Sequence, residues 1–173
     1  MGNRGLLHGR DQAIRREWRL KAWLICRLEF NDRRRTVMSP GLYTELFFLD
    51  EATALAAGHR PCAECRRQDY LAFKSAAGFA ESKVGPMDEV LHAQRLDQRG
   101  GKPTWRAKSA DLPAGCLVAI DGQAWLTRSR RLHLWTPEGY TDERALAGEV
   151  NVLTPRLTVD AIRRGYAPQV ALD

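Results

Sequence analysis

The spacing of apolar and polar residues divides the chain into segments with different periods. Residues 12–30 begin with a helix-like spacing and then alternate, as strands do, over AWLICRLEF at 22–30. The polar residues NDRR that follow indicate a turn, so 22–38 is predicted to form a hairpin. The run YTELFFLD at 43–50 predicts a short buried strand.

Three helices are predicted in the middle of the chain from their start and stop signals. Asp50 precedes EATALAAG as an N-cap, and Gly58 ends that helix. A second helix follows HRPCAEC at 59–65, and a third lies between Pro86 and the glycine pair 100–101.

The C-terminal part is predicted to be rich in strands. Within residues 103–140, Asp121 and Gly122 stand between two apolar runs and are typical of a hairpin turn. The chain then ends in a strand and a helix, with Thr154 as the cap and Pro155 in the first turn. These elements together predict an α+β fold.

Composition narrows the class of protein. Of the 173 residues, 44% are hydrophobic, which is enough for a sizeable core, yet no apolar run reaches the ~20 residues of a membrane span. The N-terminus carries no apolar stretch of the secretory type. We therefore expect a cytoplasmic protein whose four cysteines are thiols or metal ligands and not disulfides.

The charge distribution suggests a nucleic-acid partner. The formal charge is +6, and arginines cluster in several short runs, with tryptophan and tyrosine nearby. Arginine suits phosphates and aromatic rings suit bases, so we expect DNA, more than RNA, to bind. A basic but otherwise ordinary surface is the alternative. The predicted nucleic-acid contacts are Arg15, Arg16, Arg33, Arg34, Arg35, Arg66 and Arg67.

Cys62 and Cys65 are the strongest chemical signal in the chain. Two cysteines separated by two residues place both sulfurs on one side of a tight turn, at the spacing of a tetrahedral zinc site. Such a site needs two further ligands, for which the candidates are Cys26, Cys116, His8, His59, His92 and His133. Two buried thiols without metal, or a redox pair, are the alternatives. A nucleobase deaminase is rejected because no His-x-Glu or Cys-x-Glu lies upstream.

The frame around this pair resembles a known module. The segment LFFLDEATALAAGHRPCAEC, within residues 43–67, is similar to the second half of the Ada-type zinc-binding module of bacterial adaptive-response alkylation repair proteins. The shared features are a strand, a short helix with paired alanines, and Gly-x-Arg-Pro-Cys-x-x-Cys. The resemblance implies a bound zinc ion and contact with DNA in DNA repair.

In that family four cysteines hold the zinc, two of them upstream of the pair. This chain offers only Cys26 upstream for those two roles. We choose His8, in a glycine-containing N-terminal loop, as the remaining ligand, which makes the predicted set Cys62, Cys65, Cys26 and His8. The cysteine that accepts a methyl group in the family would here be Cys26. A neutral histidine in place of a thiolate lowers the negative charge and the nucleophilicity of the site, so methyl transfer is not the favoured expectation.

The chain is expected to contain two regions. Residues 1–80 are expected to form a zinc-stapled hairpin and helix module, and residues 81–173 to add a helix and a β-rich half that pack on it as one compact unit.

Asp88, His92 and Arg95 suggest a second, competing site. Their i, i+4 and i+7 spacing places them on one face of a helix. An aspartate can orient a histidine for acid–base chemistry and an arginine can hold a phosphate, so a hydrolytic or phosphate-handling enzyme is one alternative function. A solvent-exposed helix face with an ordinary ion pair is the simpler interpretation. A zinc-stabilised protein-interaction module is a third possibility.

Overall fold

The computed structural model of the protein describes residues 1–32 and 36–172. As predicted, the fold is α+β, with helices and two sheets in this part of the chain. None of the helices in the described residues is long and apolar enough to cross a membrane. The helices are α1 (Glu51–Ala56), α2 (Arg67–Ala76), α3 (Val84–Arg95) and α4 (Arg156–Arg163).

Four very short strands form the smaller sheet, which contains the N-terminus of the chain. They are β1 (Gly2–Asn3), β2 (Leu24–Ile25), β3 (Glu45–Leu46) and β4 (Arg60–Pro61), in the spatial order β3-β1-β2-β4. The predicted hairpin over 22–38 is wrong, because β2 pairs with β1 and β4. The predicted strand over 43–50 contributes only β3.

Six antiparallel strands form the larger sheet in the C-terminal half, as the strand-rich pattern predicted. The strands are β5 (Trp105–Lys108), β6 (Leu117–Ile120), β7 (Gln123–Arg128), β8 (Arg131–Thr136), β9 (Gly139–Ala145) and β10 (Glu149–Val152), in the order β5-β10-β6-β7-β8-β9. Asp121 and Gly122 both have positive φ angles, 51° and 78°, and connect β6 to β7 as predicted.

The boundaries of α1 follow the two residues predicted to cap it, Asp50 and Gly58. The Asp50 side chain accepts a hydrogen bond of 2.8 Å from the Thr53 backbone N–H, and Gly58 follows α1 at φ +86°. A Cβ at Gly58 would also lie 2.5 Å from Arg95 Cδ, so this position requires glycine for two reasons. Helix α3 begins before Pro86, because a proline is tolerated in the first turn of a helix.

The helix-like spacing after residue 12 does not produce a helix. Residues 10–21 are exposed and fold back along residues 4–9, where Arg15 N–H bonds to the Leu7 carbonyl and Arg19 N–H to the Arg4 carbonyl. A short helix depends on burying an apolar face, and residues 10–21 stay exposed although Trp18 contacts His92 of α3, with ring centroids 4.5 Å apart.

One hydrophobic core joins the two halves of the chain. It includes Ile25 and Phe73 from the N-terminal half and Leu91, Val118 and Val159 from the C-terminal half. Helix α4 packs against α2 and α3, and α1 packs against β6. Residues 1–80 and 81–172 therefore share their buried apolar surface.

His59 is a neutral, buried side chain of this fold. Its Nδ1 lies 3.2 Å from the Ala54 carbonyl oxygen, which can only accept, so Nδ1 carries the ring proton. Its Nε2 then accepts a hydrogen bond of 3.2 Å from Arg4 Nε. Burial, followed by the positive charges of Arg4 and Arg95, holds the pKa of His59 well below its ordinary value.

We predict that His59 makes folding stability sensitive to mild acid. The unfolded chain takes up a proton on His59 below about pH 6.5, whereas the folded chain does not, so stability falls as the pH drops. Between about pH 6 and pH 5, His59 should contribute a slope approaching 1.4 kcal/mol per pH unit. Urea unfolding across this range should give a shallower slope for His59→Gln than for the wild type. Both proteins carry the same cysteines, so acid effects on those cancel in the difference. Parallel curves would contradict the prediction.

Candidate metal centre

Three cysteines come together at the edge of the smaller sheet. The sulfur atoms of Cys26, Cys62 and Cys65 all lie within 4.8 Å of one another. In residues 1–32 and 36–172, this is the one group of three or more histidine, cysteine, aspartate or glutamate side chains arranged closely enough to hold a metal ion. The spacing of the pair and the choice of Cys26 thus agree with the geometry.

The parallel pairing of β2 with β4 brings Cys26 to the pair. Leu24 lies opposite Arg60 and Ile25 opposite Pro61, and the Cys62 N–H donates a bond of 2.9 Å to the Ile25 carbonyl. Continuing this register by one residue places Cys26 beside Cys62. Parallel strands need a crossover connection, which explains why these ligands are distant in sequence.

Backbone N–H groups point at the sulfurs. Glu64 N lies 3.5 Å from Cys62 Sγ, and Arg27 N lies 3.4 Å from Cys65 Sγ. Donors directed at sulfur favour the thiolate form, which is the form that binds metal. Cys62 and Cys65 are buried, whereas Cys26 is half-buried. The cluster is therefore more accessible to solvent on the Cys26 side than on the side of the pair.

Hydrogen bonding and burial shift the pKa values of the three thiols in different directions. The bond that Cys26 donates is the largest influence that lowers the pKa of Cys62, to about 5, against the opposing effect of burial. The same bond, followed by burial, raises the pKa of Cys26, and burial raises that of Cys65. Cys62 is therefore the thiol of the cluster that loses its proton most readily, and a divalent metal bound to all three sulfurs would displace the protons that remain.

A cavity of about 330 Å³ opens directly onto the three cysteines. Its wall includes all three of them, together with apolar and aromatic side chains and the carboxylate residues Glu45 and Glu64. Sequence reasoning missed this cavity. The sequence signal for it was the adjacent pair Phe47 and Phe48, because successive side chains of an extended segment point to opposite sides. Phe48 packs on His59 with ring centroids 4.8 Å apart, whereas Phe47 is 62% exposed and lines the cavity.

His8 does not belong to the cluster, and its prediction as a metal ligand is corrected. Its Nδ1 lies 2.6 Å from the Thr44 hydroxyl and its Nε2 lies 3.3 Å from the Ser39 carbonyl oxygen. The direction of β1 is the reason. Antiparallel pairing places Gly2 opposite Ile25 and Asn3 opposite Leu24, so later residues run away from Cys26.

Cys116 is a core residue, as expected from its apolar surroundings. It is fully buried and packs within the main hydrophobic cluster. Of the remaining histidines, His59 is bonded internally and His133 pairs with Glu143 on the larger sheet, at 3.5 Å.

Asp88 and His92 do not form the predicted acid–base pair. Both carboxylate oxygens of Asp88 accept hydrogen bonds from Arg60, at 2.7 Å from Nε and 2.8 Å from the terminal nitrogen. This pair is buried, so the face of α3 that carries Asp88 is turned toward the protein interior and not toward a substrate.

Arg95 is likewise an internal residue and does not present itself to a phosphate. It is 2% exposed and donates to the carbonyl oxygens of Gly58, at 2.7 Å, and Lys21. It also donates to His92 Nδ1 at 3.1 Å. Burial and then the Arg95 charge lower the pKa of His92, whereas a carboxylate beside the ring would raise it. The catalytic constellation predicted from the sequence is therefore not formed.

The predicted nucleic-acid contacts fall into three groups. Arg15, Arg16 and Arg67 are exposed, and Arg15 pairs with Asp11. Arg66 is buried, 2.9 Å from Glu51 and 2.8 Å from Asp69, so its prediction as a phosphate contact is corrected. Arg33, Arg34 and Arg35 lie outside the described residues.

Comparison with family models, with curated proteins and with solved structures found no match to this chain.

We predict that Asp88 matters for stability. Asp88→Ala leaves Arg60 buried and unpaired, which should lower the free energy of unfolding by about 3–5 kcal/mol. The matched control is Glu89→Ala on the same helix, which removes an exposed pair with Lys21 and should cost less than about 1 kcal/mol. Urea denaturation of both variants provides the measurement. Equal effects would contradict the assignment.

Proposed function

We propose that this protein binds zinc through Cys26, Cys62 and Cys65. The cluster of three sulfurs is the observation that carries the proposal. Three thiolates form a soft donor set, which favours zinc over magnesium or calcium. A tight Cys-x-x-Cys turn with backbone N–H groups directed at the sulfurs supports the same metal.

Zinc at this position would hold the smaller sheet together. Its strands contain only two residues each, so their own hydrogen bonds contribute little stability. A metal ion that bridges Cys26 to the pair would fasten β2 to β4 and hence the N-terminal segment to the rest of the protein. Structural zinc sites supply folding energy in this way.

The resemblance to the Ada-type module supports zinc and suggests DNA as the partner. The Cys-x-x-Cys turn follows α1 as in that module, and Cys26 takes an upstream ligand position. The cluster in the described residues has three cysteines where the family has four. Fewer thiolates make the site less negative and each thiolate less nucleophilic, so we do not extend the proposal to methyl transfer.

We further propose that the protein associates with nucleic acid through the arginine loop, residues 10–21. This loop is exposed throughout and carries Arg10, Arg15, Arg16, Arg19 and Lys21 against two acidic residues. Trp18 lies among them, 37% exposed, and could stack on a base. Exposed Arg67 adds to the available positive charge.

The zinc proposal predicts about one zinc per chain in protein purified without chelator, measured by elemental analysis. Cys26→Ser should reduce zinc content and lower the melting temperature, because one of three ligands is lost. Cys116→Ala is the matched control: it removes a cysteine outside the cluster and should leave zinc content unchanged. Metal-free protein of native stability, or zinc loss on Cys116→Ala with none on Cys26→Ser, would overturn the proposal.

The nucleic-acid proposal predicts binding to generic duplex DNA at low salt. Affinity should fall with salt, by roughly 0.9 log unit per log unit of salt for each phosphate neutralised. Changing Arg15, Arg16 and Arg19 to alanine should weaken binding and reduce that slope by roughly two to three. Titration of labelled DNA and RNA at two or more salt concentrations provides the test.

A matched control separates the loop from net charge. Changing Arg106, Arg131 and Arg144 to alanine also lowers the formal charge of +6 by three, but on the larger sheet. Equal losses from both variants would indicate a general charge effect. No binding at low salt would remove the nucleic-acid proposal and favour a zinc-stabilised protein-interaction module.

A further inference from the structure

The three-cysteine cluster supplies one ligand fewer than a closed zinc site. Structural sites have four protein ligands, whereas sites that bind an outside ligand have three and an open position. All three cysteines line the same cavity of about 330 Å³. A metal ion on these sulfurs would therefore have its remaining position on the side of that cavity.

The cavity is surrounded by an unusual concentration of exposed apolar side chains. Leu28 is 72% exposed, Val37 46% and Phe47 62%, and all three line it. Phe30 and Tyr43 add aromatic surface to the wall. Grouped apolar side chains on a surface mark binding sites more often than scattered ones do, and the cavity volume is within the range of small-molecule sites.

We propose that this cavity binds a small thiol whose sulfur completes the metal coordination and whose apolar substituent packs against Leu28, Val37 and Phe47. The proposal rests on the zinc proposed above and deepens it by naming the class of ligand.

Sulfur is the donor that this site favours. Three thiolates make the metal soft, so a fourth thiolate competes well against water or a carboxylate. Zinc with three thiolates has a net charge of minus one, and a fourth gives the charge of ordinary four-cysteine sites. The incoming thiol loses its proton to solvent and displaces a water molecule, and no oxidation or reduction occurs.

The walls of the cavity then select the substituent. An apolar group placed against these side chains removes apolar surface from water on both partners, at about 25 cal/mol per Å². A thiol with a hydroxyl group buries little apolar surface in the same contact. Its hydroxyl also gives up hydrogen bonds with water when it lies against apolar side chains. The cavity should therefore prefer an aromatic or alkyl thiol over a polar one.

Protein carboxylates are the internal competitors for the fourth position. Glu45 and Glu64 line the cavity, but neither is part of the cluster of sulfurs, and Glu45 Oε2 accepts a bond of 2.8 Å from the Met38 N–H. The experiment includes both residues for this reason.

The test uses the full chain with cobalt(II) in place of zinc, because sulfur-to-cobalt charge transfer reports the number of bound thiolates. Benzyl mercaptan should raise that absorbance by about one third, as three thiolates become four. It should bind at least about tenfold more tightly than 2-mercaptoethanol, corresponding to ~1.4 kcal/mol of apolar contact. Benzyl alcohol, which has the ring without the sulfur, should leave the charge-transfer absorbance unchanged.

Two sets of variants locate the ligand. Phe47→Ala should weaken benzyl mercaptan by roughly threefold to tenfold and leave 2-mercaptoethanol unaffected, because only the first contacts the ring. Leu71→Ala, an exposed apolar residue on α2 away from the cavity, should change neither. Glu45→Gln and Glu64→Gln should not alter the spectrum of the cobalt protein before thiol is added.

The outcomes separate this inference from the zinc proposal. Failure of cobalt or zinc to bind would overturn both. Cobalt binding with no spectral change at saturating thiol, or a starting spectrum altered by Glu45→Gln or Glu64→Gln, would overturn the thiol inference alone. Equal affinity for the two thiols, together with no effect of Phe47→Ala on the affinity for benzyl mercaptan, would overturn the role of the apolar wall.

Discussion

The parallel pairing of β2 with β4 is the constraint on which the site depends. It is made by only two residues on each side, yet it places Cys26 beside Cys62 and aligns the N-terminal segment with the residues after α1. The antiparallel pairing of β1 with β2 then determines what else can reach the cluster. Because β1 runs away from Cys26, His8 bonds to Thr44 and is not part of the cluster of sulfurs.

Arginine has two separate uses in this protein. Arg60, Arg66 and Arg95 are buried and hold elements together through Asp88, Glu51 and the Gly58 carbonyl. The arginines of the arginine loop are exposed. A buried guanidinium needs partners for its donors, so each internal arginine occurs with carboxylates or carbonyls around it. Counting arginines therefore overstates the positive charge that a partner can contact.

The proposed zinc site and its cavity combine two functions in one place. A metal ion on the three cysteines would connect β2 to β4 in the smaller sheet. Because the cluster supplies only three ligands and lines the cavity, the metal could also bind a ligand from solution. In both roles the metal depends on the same three sulfurs. A ligand in the cavity would thus act directly on the junction between the N-terminal segment and the shared core.

Local signals in the sequence were sufficient for features whose interactions are also local. Asp50 and Gly58 set the ends of α1, Asp121 and Gly122 form the β6–β7 turn, and Cys62 and Cys65 sit in one tight turn. Helical spacing correctly placed Asp88, His92 and Arg95 on one face, but it could not tell whether that face met solvent or the interior. The partners of β2, the exclusion of His8 and the cavity beside the cysteines were decided by tertiary structure alone. Each depends on which distant strands pair, and that is settled by burial of the whole core and not by the residues of any one segment.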